Sequence, residues 1–286
     1  MELPKYWARA SFTAKDGSGR PVTRNALGWS TTSVAEAQAV AGERAKRAAD
    51  RQTDGRATAY EYGEVPPREQ QFDVIEHGGQ TIGVITRNRY GSLILNTDRV
   101  MFADIDFPTP QSSAPQGLAG LVAGLFKKTP PTTTPEAVAL EKVLAWQATR
   151  PAASFRVYRT FAGLRLLFTD GLYDPRSPDT RDLLRSIGSD LLYFTLTQRQ
   201  GCFRARLSPK PWRCGASTYL PRSIVDHPDE PQRVDEWAEA YTRQAAAYDT
   251  CRFLRTVGPS AANGEINAIS NVHDRFTGAT GTKPLA

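Results

Sequence analysis

Two carboxylates stand two residues apart near the end of a hydrophobic run, Val100-Met101-Phe102-Ala103-Asp104-Ile105-Asp106-Phe107. Side chains alternate faces along an extended strand, so Asp104 and Asp106 share one face. Neighbouring carboxylates repel and are costly to ionise together unless a cation lies between them. Mg²⁺ or Mn²⁺, bridging to a substrate phosphate, is the natural partner of such a pair. A strand end whose acids face solvent or pair with arginines would use the same residue types, because the D-x-D pattern is short.

A second set lies in Phe155-Arg156-Val157-Tyr158-Arg159-Thr160-Phe161-Ala162-Gly163-Leu164-Arg165-Leu166. Two strands joined by a short turn would gather Arg159, Thr160 and Arg165 around the connection, where they could bind nucleotide phosphates. Arg165, flanked by Leu164 and Leu166, needs an anionic partner, either a phosphate or a carboxylate of the site. A third set is Cys202-Phe203-Arg204-Ala205-Arg206-Leu207-Ser208-Pro209-Lys210-Pro211-Trp212-Arg213. Here Arg204 and Arg206 share a face, and the prolines present Lys210 and Arg213. Cations beside Trp212 suit a nucleic-acid strand, through phosphate pairing and base stacking; a rigid surface loop is the plainer alternative.

Composition points the same way. The chain has 286 residues, a net charge of +6 and a basicity carried mainly by arginine. Residues 150–222 alone carry a local excess of +8, so the remainder of the chain is slightly acidic. Guanidinium forks grip phosphate in a bidentate way that ammonium cannot, which favours phosphates or nucleic acid as partner over a merely solvated basic face. With 40% hydrophobic residues, wholesale disorder is excluded. No apolar run approaches the roughly 18 residues of a membrane span. The N-terminal residues lack a signal-peptide pattern, and three cysteines are too few for a disulfide scaffold, so a cytoplasmic protein is expected. Cys202, Cys214, His227 and Cys251 match no compact zinc spacing. His273-Asp274-Arg275 reads either as part of a site or as helix-surface polarity.

The elements that must hold these residues follow from periodicity. Residues 6–12 and 21–29 read as strands around the Asp16-Gly17-Ser18-Gly19 turn. Ser33-Val34-Ala35-Glu36 is a capping box opening an Ala-rich helix to about Asp50, and 57–62 reads as a further strand. A hairpin spans 72–86, and strands follow at 92–96 and 100–107. Residues 108–134 are rich in Pro, Gly, Ser and Thr, marking a loop. A helix from Pro135 to about Thr149 precedes strands at 154–158 and 163–169, a helix at 179–187, and strands at 191–197 and 202–207. Helices are expected at 231–255 and 265–276. The mixed order implies an α+β fold of three parts: a ββαβ unit at 1–67, a sheet-and-helix body at 68–222 and a helical segment at 223–286.

In this order the features resemble a divergent member of the archaeo-eukaryotic primase (primase-polymerase) superfamily. The resemblance covers roughly 72–215. Asp104-Ile105-Asp106 matches the family's first motif, 160–166 sits where its S-x-H motif belongs, Asp190 stands for the third, strand-borne acid, and Arg206 to Lys210 resembles the last motif. The histidine of the second motif is absent, with Arg165 nearest to its place. The resemblance implies a palm in which Asp104, Asp106 and Asp190 hold two Mg²⁺ or Mn²⁺ ions for nucleotidyl transfer. Nucleoside triphosphates and a single strand or template-primer would be its partners. Arg165 and Lys210 would contact nucleotide phosphates, and Arg204, Arg206 and Arg213 a template. Arginine binds phosphate but does not titrate near neutral pH, so an inactive palm that only binds nucleic acid is the alternative. Gly91-Ser92, eleven residues, then Asp104-Ile105-Asp106 also resembles the polymerase-β-like nucleotidyltransferases, with Asp170 as third acid. A D-x-D glycosyltransferase fits less well, for want of an N-terminal βα series.

Overall fold

A computed structural model describes residues 3–53, 69–107, 134–216, 231–259 and 263–286. The described chain is mixed α+β with all of its strand pairs antiparallel. The expected strand at 57–62, the expected 108–134 loop as far as residue 133, and His227 lie outside the described residues.

The chain begins with a hairpin, β1 (Tyr6–Lys15) and β2 (Pro21–Ser30), backed by α1 (Val34–Thr53). Four fully buried alanines at helical spacing, Ala37, Ala41, Ala45 and Ala49, form the contact stripe of α1. The helix lies so close to β2 that a Cβ on Gly28 would sit 2.1 Å from the Ala37 carbonyl. Half of the capping box forms: Ser33 Oγ accepts from the Glu36 N–H at 3.1 Å. The Glu36 carboxylate turns instead to the hydroxyls of Ser30 and Thr32.

Two four-stranded sheets make the body. One has the order β3 (Gln70–His77), β4 (Gln80–Arg87), β5 (Leu93–Thr97), β9 (Phe203–Arg206). The other has the order β10 (Cys251–Val257), β7 (Phe155–Thr160), β8 (Gly163–Phe168), β6 (Phe102–Asp106). Between β6 and β7 runs α2 (Pro135–Ala148), started by Thr134, whose side chain accepts from the Ala137 N–H. Next come α3 (Pro178–Ser186) and α4 (Leu191–Gln200), then, after β9, α5 (Pro231–Ala245) and α6 (Gly264–Thr277). One core unites the two sheets, with Leu95, Phe102, Phe155, Leu166, Phe168 and Phe203 inaccessible and α6 contributing Ile266 and Ile269.

Two expectations are corrected here. Residues 191–197 are not a strand but the body of α4. Asp190 caps that helix by accepting from the Tyr193 N–H at 2.7 Å, and Gly201 ends it at φ +63°. The apolar, β-branched run Leu191-Leu192-Tyr193-Phe194-Thr195-Leu196-Thr197 masked these two caps. The single helix expected over 231–255 stops at Ala245, and Cys251–Val257 pairs with β7 instead. The C-terminal segment is therefore not wholly helical, and it completes the sheet that carries Asp104.

Candidate functional site

β6 is an edge strand of its sheet, hydrogen-bonded to β8 on one side. In that register Asp104 lies directly opposite Arg165, and Asp106 opposite Gly163. Arg165 is almost fully buried and reaches across to Asp104 with two parallel bonds, Nε to Oδ1 at 2.8 Å and Nη2 to Oδ2 at 3.1 Å. Its third arm, Nη1, donates to the carbonyl of Arg206 on β9 at 2.8 Å. One guanidinium thus satisfies Asp104 and ties the two sheets together. Burial alone would lower its pKa, but the Asp104 carboxylate outweighs this and holds it above the ordinary value.

The free edge of β6 is covered by the segment entering α4. The Asp190 N–H donates to the Asp104 carbonyl at 2.8 Å, and the Tyr193 hydroxyl donates to the Phe102 carbonyl at 2.9 Å. These bonds bring Asp190 beside the acidic pair, although on a helix cap rather than the expected strand. Asp170, by contrast, follows the far end of β8, where the Phe168 N–H bonds the Met101 carbonyl. It stands five positions past Arg165, the first three of them still in β8, a span of up to roughly 16 Å if extended. Asp170 instead accepts from the Tyr173 hydroxyl at 2.9 Å.

Asp106 stays at the exposed end of β6. Partial burial and then the charges of Asp190 and Asp104 push its carboxyl above the usual carboxylate range, against the pull of Lys210 and Arg206. Facing it are three cations delivered by β9 and the turn after it. Arg206 is pushed down to about 10, by burial first and then by the guanidinium of Arg165. Burial followed by Arg206 and Arg213 lowers Lys210, and burial lowers Arg213. Among the described residues, none of the three has a carboxylate within ion-pair distance. Pro211–Arg213 forms a single 3₁₀ turn, and Lys210 and Arg213 at its two ends both feel the charge of Asp106.

Aromatic rings interleave with these cations at the surface. The Arg213 guanidinium lies 4.0 Å from the Phe161 ring, and Lys210 Nζ lies 5.4 Å from Trp212. Trp212 meets Tyr90 edge-on at 5.6 Å, and Arg89 stacks on Tyr90 at 4.6 Å. Phe161, Trp212 and Tyr90 are each 41–48% exposed. The stripe therefore joins the β7–β8 turn, the 3₁₀ turn and the β4–β5 turn. Sequence reading identified Trp212 but missed Tyr90, Arg89 and Phe161; their signal was aromatic residues at turn positions, where a core role is unavailable.

The other arginines of the sequence analysis are spent within the protein. Arg159 pairs with Glu136 at 2.9 Å and covers the Phe107 ring, and the Thr160 hydroxyl donates to the Gly163 carbonyl across its turn. Arg204 is held by Glu69 at 2.6 Å on the side of the β3–β9 sheet occupied by Thr86 and Asn96. Ser92 is buried and donates to the Pro209 carbonyl, a packing role. His273 is inaccessible rather than on a helix surface: its Nδ1 lies 3.1 Å from Asp274, which also binds Tyr158 and Arg156. All three cysteines are buried, and among the described residues no three metal-binding side chains come together at ligating distance. No described helix is long and apolar enough to cross a membrane. Compared with known proteins, the chain matches no family model, and no curated protein or solved structure is significantly similar to it.

Proposed function

We propose that this protein binds single-stranded nucleic acid across the surface where β6 and β9 meet, as a palm-like module. The observation that carries this reading is the convergence of Arg206, Lys210 and Arg213 without a carboxylate partner, beside an Asp104 already neutralised by Arg165. Three like charges held together are only partly offset by Asp106 opposite them, and a phosphate diester supplies the further anion. The flanking rings of Phe161, Trp212 and Tyr90 offer faces for bases, which every nucleotide can use. The Arg165–Asp104 pair would keep the palm's two sheets together without taking part in binding.

A second reading, metal-dependent nucleotidyl transfer by a primase-like palm, is favoured by the approach of Asp104, Asp106 and Asp190 and by the raised carboxyl of Asp106. Mg²⁺ or Mn²⁺ would supply charge neutralisation of a triphosphate and its leaving group. Asp106 and the free oxygen of Asp190 are the groups suited to hold one such ion. Both oxygens of Asp104 are occupied by Arg165, so a two-ion site would require that pair to open.

Fluorescence anisotropy with a labelled oligo-dT, in EDTA and in Mn²⁺, separates the two. Metal-independent, salt-sensitive binding is expected, weakened roughly tenfold by Trp212→Ala and at least as much by the pair Arg206→Ala/Arg213→Ala. Mn²⁺-dependent primer extension lost in Asp106→Asn would establish the second reading. No affinity for oligonucleotides at low salt would end the first.

A further inference from the structure

We propose that the β1–β2 hairpin is a second nucleic-acid surface, built to enter the major groove of a B-form DNA duplex. This goes beyond the single-strand surface at β6 and β9 and stands on different residues. The two strands pair in a long regular register, with Ser11 opposite Asn25, Thr13 opposite Thr23 and Lys15 opposite Pro21. Alternation divides the ribbon. Ala8, Ala10, Phe12 and Ala14 with Val22, Ala26 and Gly28 share the face that α1 covers, as the close approach of α1 to Gly28 shows. Arg9, Ser11, Thr13, Lys15, Thr23 and Asn25 occupy the other face, and all are exposed.

At its base that face carries Trp7, Leu27 and Trp29, the two indoles 5.9 Å apart; from Arg9 to the tip its described residues are hydroxyls, an amide, a proline and cations, with no carboxylate among them. Cross-strand bonds pre-order its centre: Ser11 Oγ donates to Asn25 Oδ1 at 2.7 Å, and the Thr13 and Thr23 hydroxyls meet at 2.8 Å. Asn25 accepts through its oxygen on this exposed face, which keeps its amide N–H groups as donors. Asp16, the acid nearest the tip, is folded into its own turn by the N–H groups of Ser18 and Arg20 and the Ser18 hydroxyl. Residues 3–53 carry nine Lys/Arg against four Asp/Glu. Charge complementarity therefore selects a polyanion. A two-stranded ribbon fits the major groove of B-DNA, where Asn, Ser and Thr reach base edges and Lys and Arg reach phosphates.

The test is competition anisotropy on the full chain with three probes of equal length: duplex DNA, duplex RNA and single-stranded oligo-dT. Lys15→Glu/Arg20→Glu should weaken duplex DNA at least tenfold and lower the slope of log affinity against log salt by about 2. Asn25→Ala should weaken duplex DNA several-fold and leave that slope unchanged. Both variants should keep the wild-type thermal midpoint and oligo-dT affinity. Duplex RNA, whose major groove is too narrow for the ribbon, should bind at least tenfold more weakly than duplex DNA. Equal affinity for the two duplexes, or duplex DNA binding untouched by the charge reversal, overturns the proposal. If oligo-dT binding fails while duplex binding behaves as stated, the single-strand reading falls and this one stands.

Discussion

Replacing Asp104 and Arg165 by leucine, singly and together, tests whether these residues serve each other. Arg165 is 2% exposed and Asp104 30%, so the two single changes are unequal. Asp104→Leu strands a guanidinium that has no solvent to turn to, leaving only its bond to the Arg206 carbonyl. Removing one partner of a buried pair costs about 3–5 kcal/mol, and this variant should lie near the middle, about 4 kcal/mol. Arg165→Leu strands a carboxylate that reaches water and can take up a proton, and it frees the Arg206 carbonyl. Its cost should be about 2 kcal/mol. The double variant replaces the pair by apolar groups beside Leu164 and Leu166, and such replacements are often neutral. It should lose no more than about 2 kcal/mol, giving a coupling of about 4 kcal/mol. Urea unfolding followed by circular dichroism in EDTA reads these values as midpoint shifts at constant slope. Additivity within about 0.5 kcal/mol, or an Asp104→Leu cost below about 1 kcal/mol, would refute the pairing and return Asp104 to the list of metal ligands.

Two further expectations concern packing and pH. His273 is held neutral by burial, down to about 4, despite the Asp274 carboxylate beside it. The unfolded chain, with an ordinary histidine near 6.5, binds the extra proton between these values, so stability falls as pH drops through that window. About 2 kcal/mol should be lost between pH 7 and pH 5; His273→Phe should flatten this slope, and an unchanged slope would contradict the assignment. Gly91 has φ +93°, and an added Cβ would stand 2.0 Å from Trp237 of α5. Gly91→Ala should therefore loosen α5 from the β4–β5 turn at a cost of about 2–4 kcal/mol, with faster amide exchange in α5. A loss under about 0.5 kcal/mol, or unchanged exchange, would show that the contact is not tight.

Local pattern was enough to read most of the strands, because alternation and turn residues are local signals. Helices α2 and α3 carry Pro at their first position behind a capping Thr or Ser, and both start where those residues stand. The two elements misread were those whose local preference opposed their context. In α4, a β-prone run is held helical by caps at its two ends while Leu191 and Leu192 face outward. In β10, a chain that continues a helical pattern is drawn into a sheet by backbone pairing with β7. Both outcomes depend on partners remote in sequence.

The site shows the same division more sharply. Spacing places Asp104 and Asp106 on one face of a strand, and their repulsion calls for a cation. Spacing does not say which cation. The β7–β8 hairpin sets Arg165 opposite Asp104, 61 positions away in the chain, and so supplies that cation from within the protein. Once Arg165 is consumed in this way it is lost as a phosphate ligand. The anion affinity of the adjoining surface then falls to residues of the other sheet and of the turn after β9. Arg206, on β9, lies beside a guanidinium that already has its carboxylate; Arg165 and Arg213 repel it, and Asp104, itself held by Arg165, offsets them only in part. An arginine repelled on two sides by fixed charges is stabilised by any phosphate that arrives. The charge that neutralises Asp104 is therefore also part of what makes the adjacent surface receptive to an anion.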